Sequence, residues 1–145
     1  LIDIDSPTRQ VVTYAIDIEA GTLGERKVIL DLTTDPAVPD GAILTPDESG
    51  LIVSMFLPDA ADDGQTRLYD VSTGELKVIW QTPGSPQNTC PALVRHGGGL
   101  KLIITTAVEH MSDEVRGQCP SAGQLFMGET DFSDDGSELA PTFPA

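Results

Sequence analysis

The sequence predicts an all-β fold, about three blades (half) of a six-bladed β-propeller, and three observations carry that prediction. The first is a repeat at an offset of about 50 residues: Gly24-Glu25-Arg26-Lys27-Val28-Ile29-Leu30 returns as Gly74-Glu75-Leu76-Lys77-Val78-Ile79-Trp80. In the same register Pro39-Asp40-Gly41-Ala42-Ile43-Leu44 aligns with Thr89-Cys90-Pro91-Ala92-Leu93-Val94. Gly50-Leu51-Ile52-Val53 then meets Gly99-Leu100-Lys101-Leu102-Ile103 after a slip of about one residue. Secondly, the apolar runs are short, rich in Val, Ile, Leu and Thr, and punctuated by Gly, Pro and Asp, as strands are. Thirdly, no long run shows the 3.6-residue apolar spacing of an amphipathic helix.

Taken in order, the first group of strands is expected at residues 1–4, 11–18 and 27–32. The glycines of Glu19-Ala20-Gly21-Thr22-Leu23-Gly24 suit a hairpin loop, because they tolerate positive φ. A second group lies at 42–44, 51–56, 67–71 and 76–81, with Val71-Ser72-Thr73-Gly74-Glu75 as its last turn. A third lies at 92–95, 100–106 and 124–128. Ser112-Asp113-Glu114-Val115-Arg116 is expected as a short turn capped by Ser112. Residues 129–139 read as an acidic loop, and 141–145 as an extended tail packing Phe143 against a blade. The chain divides on this reading into one partial propeller domain, 1–145, with blade-like units at about 1–37, 38–87 and 88–145.

A partial ring leaves faces and strand edges uncovered, which are aggregation hazards. A partner surface is therefore expected: an N-terminal half carrying the other blades, or a second copy of the chain. Leu1 sits within the alternating run Leu1-Ile2-Asp3-Ile4-Asp5, so the start reads as a fragment or processing boundary.

Composition narrows the partners. Eight basic residues against 23 acidic ones give a formal net charge of −15. Such a surface repels phosphate backbones and anionic lipid, so neither nucleic acid nor membrane is an expected partner. No apolar run approaches the roughly 20 residues that span a bilayer. Cys90 and Cys119 are too few for a disulfide framework, and whether they pair stays open. The compartment stays open with them, the cytoplasm being the first expectation.

In a propeller the innermost strand of each blade runs along the central channel, and the loop entering it faces the channel mouth. Asp40 holds that position in the second unit, just before Ala42-Ile43-Leu44. A carboxylate there suits an oxygen-seeking divalent cation, although Pro39-Asp40-Gly41 is by itself a common turn sequence.

A wider set of residues gives that aspartate its meaning. Val38-Pro39-Asp40-Gly41, the blade turn Tyr69-Asp70-Val71-Ser72-Thr73-Gly74, and Asn88-Thr89-Cys90 leading into Leu102-Ile103-Ile104-Thr105-Thr106-Ala107 resemble the gluconolactonase, regucalcin (senescence marker protein) and luciferin-regenerating enzyme family. Pro120-Ser121-Ala122-Gly123-Gln124-Leu125-Phe126 is similar to it too, as are Asp5-Ser6, Tyr14-Ala15-Ile16-Asp17 and Gly21. The order of motifs corresponds to the C-terminal half of such a protein. The resemblance implies a six-bladed propeller with one divalent metal ion, Ca2+ or Zn2+, in its channel, and hydrolysis of a small-molecule sugar lactone or related ester. It also implies that Asp40 is both metal ligand and the base that activates water. The family's other ligands, a Glu and an Asn, have no counterpart in these residues, so the chain alone is expected to be inactive. Where an Arg or Lys often follows the Thr-Thr-Ala stretch, this sequence has Val108-Glu109-His110.

Other candidates carry less. Asp59-Ala60-Ala61-Asp62-Asp63-Gly64 with Asp70 partly mimics a calcium loop, but Ala61 occupies a ligand position and strands flank it. Ser133-Asp134-Asp135-Gly136 reads as an acidic turn. His96 and His110 lack metal-ligand spacing, and Gly97-Gly98-Gly99 is too short for a phosphate cradle. No Gly-x-Ser-x-Gly elbow is present, which disfavours a serine nucleophile. Trp80, Tyr14, Tyr69 and Phe126 fall on strand runs and read as packing. The expected function is thus the C-terminal half of a metal-dependent lactonase-like hydrolase. The alternatives are a non-catalytic calcium- or protein-binding propeller, and a half-ring that self-assembles.

Overall fold

Ten strands make up three antiparallel sheets in the computed structural model, which describes residues 1–136 and Leu139. The first sheet orders β1 (Ile2–Asp5), β2 (Gln10–Asp17) and β3 (Thr22–Asp31). The second orders β4 (Val38–Leu44), β5 (Gly50–Phe56), β6 (Asp63–Asp70) and β7 (Leu76–Pro83). In the third, β8 (Asn88–His96) pairs with β9 (Gly99–Thr106), which pairs with β10 (Leu125–Glu129). The only α-helix among the described residues, α1 (Asp113–Gln118), is the expected short turn: the Ser112 hydroxyl accepts the Val115 N–H at 3.3 Å. The tail expected at 141–145 lies outside the described residues.

The sheets stack side by side, and β5 shows why. Its side chains alternate, as a strand requires. Leu51, Val53 and Met55 join Val11, Leu30, Ala37 and Tyr69 in a core between the first and second sheets. Ile52 joins Leu93, Leu102 and Ile104 in a second core between the second and third. Both faces of β5 are buried, which is why Gly50–Phe56 reads as one continuous apolar run broken only by Ser54.

Ser54 belongs to a polar seam inside that second layer. Its hydroxyl lies 3.2 Å from that of Thr66, which accepts the Asn88 side-chain N–H at 3.1 Å. The Asn88 carbonyl accepts the Thr82 hydroxyl at 2.6 Å. Ser54, Thr66, Thr82 and Asn88 are all fully buried, so each needs these partners. Gly64 makes room for them: a Cβ there would sit 2.1 Å from the Ser85 carbonyl oxygen and 2.6 Å from Asn88 Oδ1. At the other interface Arg67 reaches Asp35 and lies 3.3 Å from the Tyr69 hydroxyl, while Arg9 donates to the Asp35 carbonyl. This cluster fastens the connection that leads from β3 into β4.

The repeat maps β3 onto β7, β4 onto β8 and β5 onto β9. The first sheet therefore has no counterpart of β4, and no strand among the described residues pairs with the second edge of β1. Ile16, Ile18 and Leu23 of the first sheet's hairpin, with Leu125 and Met127 of β10, are exposed.

Four strands begin at least four residues earlier than the sequence suggests. β4 and β8 start at Val38 and Asn88, because their Pro and Gly residues sit inside irregular pairing rather than before it. β3 and β6 start at Thr22 and Asp63, where polar residues on a hairpin gave no apolar signal.

Candidate functional site

Asp40 is not in a loop before the strand, as the sequence suggests, but inside β4 at a β-bulge. Pro39 faces Met55 and Ala42 faces Val53, so Asp40 and Gly41 together oppose Ser54 alone. The same irregularity recurs in β8: Asn88 faces Thr106 and Pro91 faces Ile104, leaving Thr89 and Cys90 opposite Thr105. Thr105 fills that second bulge, its hydroxyl 2.6 Å from Thr89 Oγ1 and accepting the Cys90 N–H at 3.0 Å.

The two bulges touch. A Cβ on Gly41 would lie 2.6 Å from the Thr89 carbonyl oxygen and 2.9 Å from Cys90 Cα, so only glycine lets β4 approach β8 this closely. Bulges re-aim side chains near functional sites. Here they bring Asp40 and Cys90, equivalent positions of the repeat, to one end of the inner strands, and both are exposed. Ser6, just after β1, reaches the same end and donates its hydroxyl to the Pro39 carbonyl at 3.0 Å.

A third group arrives from the loop after β9. Gln87 is wholly buried, and its backbone bridges Phe56 and accepts the Ala107 N–H at 2.9 Å. Its side-chain amide then grips one residue twice. Gln87 Nε2 donates to the Glu109 carbonyl at 2.8 Å, and Gln87 Oε1 accepts the Glu109 N–H at 2.7 Å. Glu109 is thereby held at the end of the strands where Asp40 stands.

The two carboxylates feel each other. Burial around Asp40 pushes its carboxyl above the usual carboxylate range, and the charge of Glu109 pushes it further in the same direction. No hydrogen bond and no cation among the described residues offsets this. A carboxylate so placed can take a proton or share its oxygens with a cation. The donors fit an oxygen-seeking divalent cation in kind but not in number: no group of three His, Cys, Asp or Glu able to hold a metal occurs among the described residues. Ligands from outside these residues would have to complete such a site.

The other sequence candidates lie elsewhere or are already engaged. Asp70 accepts the Ser72 hydroxyl at 2.6 Å and the Thr73 N–H at 3.0 Å, which holds its carboxyl down at about 2, and the strand Asp63–Asp70 puts it at the far end of β6 from Asp62 and Asp63, which ends the likeness to a calcium loop. Asp134 is paired bidentately with Arg95. His96 lies exposed at the β8–β9 turn, and His110 Nε2 sits 3.3 Å from Glu109 Oε1. Cys90 and Cys119 are both free thiols, Cys119 buried. Trp80 packs edge-on to Phe132 and donates its indole N–H to the Glu129 carbonyl at 2.8 Å, a packing role as expected.

Glu109 and Gln87 are what sequence reasoning missed. Glu109 showed only as an oddity after the Thr-Thr-Ala stretch, and nothing in the sequence around Gln87 marked its clamp.

Comparison with known proteins agrees with this architecture. The description of the SMP-30/gluconolactonase/LRE-like region matches residues 1–108. The putative sugar lactone lactonase YvrE of Bacillus subtilis is 29% identical over 128 residues, covering 87% of this chain and 40% of that protein. An uncharacterized protein of Sulfolobus acidocaldarius is 31% identical over 108 residues, covering 74% of this chain and 36% of its own length. The chain thus spans about two-fifths of the length of these relatives. Among solved structures, the calcium-binding protein regucalcin from Agrobacterium tumefaciens superposes with a TM-score of 0.71 at 21% identity, over 88% of this chain and 40% of that one. A luciferin-regenerating enzyme superposes with a TM-score of 0.67 at 20% identity, over 87% and 39%. With residues 1–108 matched by that family's description, the chain belongs to the SMP-30/gluconolactonase/LRE-like family.

Proposed function

We propose that this chain forms part of a metal-dependent hydrolase that opens a sugar lactone or a related ester. The observation that carries the reading is Asp40: an exposed carboxylate at a bulge of the innermost strand, raised in pKa, with no hydrogen bond from the described residues to occupy it. Membership of a lactonase-like family supports it, as does the likeness to a putative sugar lactone lactonase.

Asp40 serves as a ligand of a divalent ion, Ca2+ or Zn2+, and as the base. When bound, such an ion polarises the lactone carbonyl. Asp40 takes the proton from the attacking water, the water oxygen adds to the carbonyl carbon, and the ring C–O bond breaks as that proton passes from Asp40 to the leaving ring oxygen, giving a hydroxy acid.

The missing counterpart of β4, and the apolar side chains exposed on the flanking sheets, favour a ring closed by further blades. Six blades in all is the count we propose, supplied by an N-terminal half or a second copy. Mass measurement in solution distinguishes these arrangements.

The test is Asp40→Asn in the complete gene product, with release of acid from D-glucono-1,5-lactone followed with and without a chelator. Loss of turnover on substitution and on chelation is expected. Wild-type turnover by the variant removes the assignment. Retained calcium binding without any lactone hydrolysis in the wild type favours a second reading, a calcium-binding propeller, for which the likeness to a calcium-binding regucalcin speaks.

A further inference from the structure

We propose that Ser6 is a positioning residue of the Asp40 site: its hydroxyl, reaching across from the first sheet, fixes the peptide unit that leads into Asp40 and so sets where that residue stands. This rests on the reading of Asp40 as the hydrolytic centre.

The geometry starts from Pro39. Its ring locks φ at about −65°, so ψ is the one soft torsion left before the peptide that joins it to Asp40. The Pro39 carbonyl belongs to that peptide, and the Ser6 hydroxyl donates to it at 3.0 Å. One bond to this oxygen therefore holds the orientation of the whole Pro39–Asp40 peptide plane. The bulge makes the bond matter, because the ladder that would otherwise hold Asp40 is interrupted there. On the other side of Asp40, Gly41 lies against the backbone of Thr89 and Cys90. Asp40 thus stands between a pinned peptide and a close backbone contact.

The donor is itself held. Ser6 opens a short 3-10 helix, Ser6–Thr8, with Pro7 as its second residue. The Arg9 N–H donates to the Ser6 carbonyl at 3.1 Å, and the Leu32 N–H to the Arg9 carbonyl at 2.9 Å. The Arg9 side chain also donates to the Asp35 carbonyl. A serine that only closed its own turn would keep its hydroxyl local. Thr8 does that here, donating to the Asp5 carbonyl at 3.3 Å, while Ser6 directs its hydroxyl to a residue 33 positions away in the next sheet. Support of this kind, from a rigid element to a functional residue, is what keeps a site in its productive geometry.

The experiment measures kcat and KM for D-glucono-1,5-lactone in the complete gene product as wild type, Ser6→Ala, Ser6→Thr and Thr130→Val. Crystal structures of wild type and Ser6→Ala accompany it. Thr130→Val is the comparison: it removes a like bond, from the Thr130 hydroxyl to the Leu100 carbonyl at 2.6 Å, at the opposite end of β9 from the bulge. Ser6→Ala should lower kcat by about tenfold to a hundredfold, as a misplaced reacting group does. KM should stay within about twofold, because the binding contacts are untouched. Ser6→Thr keeps the hydroxyl and should restore turnover, and Thr130→Val should behave as wild type. Ser6→Cys, of similar volume but a weak donor, takes the place of Ser6→Ala if that variant does not fold. In the crystals the Pro39 carbonyl and Asp40 should be displaced by the substitution. Unchanged kcat in Ser6→Ala overturns the proposal, as does an equal fall in Ser6→Thr or in Thr130→Val. If wild type does not open the lactone, the hydrolase reading has failed, and the crystal structures decide the positioning alone. Asp40 displaced in Ser6→Ala then supports it. Asp40 unmoved overturns it in either case.

Discussion

Replacing Gly41 by alanine puts a methyl carbon 2.6 Å from the Thr89 carbonyl oxygen, 2.9 Å from Cys90 Cα and 3.2 Å from Cys90 Cβ. The two closest atoms belong to the backbone, so no side chain can rotate away. Relief requires β4 and β8 to part by several tenths of an ångström, at the bulges that place Asp40 beside Cys90 and toward Glu109. Overpacking of this kind costs about 1–3 kcal/mol, a large share of the roughly 5–15 kcal/mol that holds a domain folded. Gly99→Ala is the matched comparison, since nothing lies within 4 Å of a Cβ there, and it should stay within about 0.5 kcal/mol of wild type. Urea unfolding of the complete gene product, at unchanged slope, reads both. Lactone turnover by Gly41→Ala should fall as well, because the carboxylates are displaced. A Gly41→Ala protein as stable as Gly99→Ala would refute the claim that the inner strands are packed backbone to backbone.

Two further predictions concern the polar groups. Asn88→Ala strips a fully buried amide from between Thr66 and Thr82 and leaves a void, which should cost about 2–4 kcal/mol in urea unfolding; a loss under about 0.5 kcal/mol would contradict the seam's structural role. Asp70, its carboxyl held down at about 2 by the Ser72 hydroxyl and the Thr73 N–H, contributes stability that is present above its unfolded value of 3.8 and lost as pH falls through about 2. Asp70→Asn should flatten the pH dependence of the urea midpoint in that acid window, and an unchanged slope would show that the turn does not hold the carboxylate.

How far the chain could be read in advance depended on where the information sits. The 50-residue echo survives in sequence because equivalent strands meet equivalent neighbours: Leu51, Ile52 and Val53 are sealed on both faces, and Leu100, Leu102 and Ile104 of the next unit are buried in turn. The starts of β4 and β8 were obscured by Pro39, Gly41 and Pro91, which read as breakers until the bulges absorb them. Asp40 was visible through turn chemistry and motif order, although its place inside the strand was not. Gln87 and Glu109 are 22 residues apart, and only the β8–β9 hairpin returns one to the other. A contact made by tertiary folding leaves no local period or capping pattern to detect.

The account turns on Asp40 as a ligand at the hub. Anomalous scattering from crystals of the complete gene product soaked with Zn2+ should place an ion about 2.0–2.2 Å from an Asp40 carboxylate oxygen, and the peak should vanish in Asp40→Asn. A well-occupied ion elsewhere in the channel with Asp40 untouched, or the same peak in the variant, would contradict it.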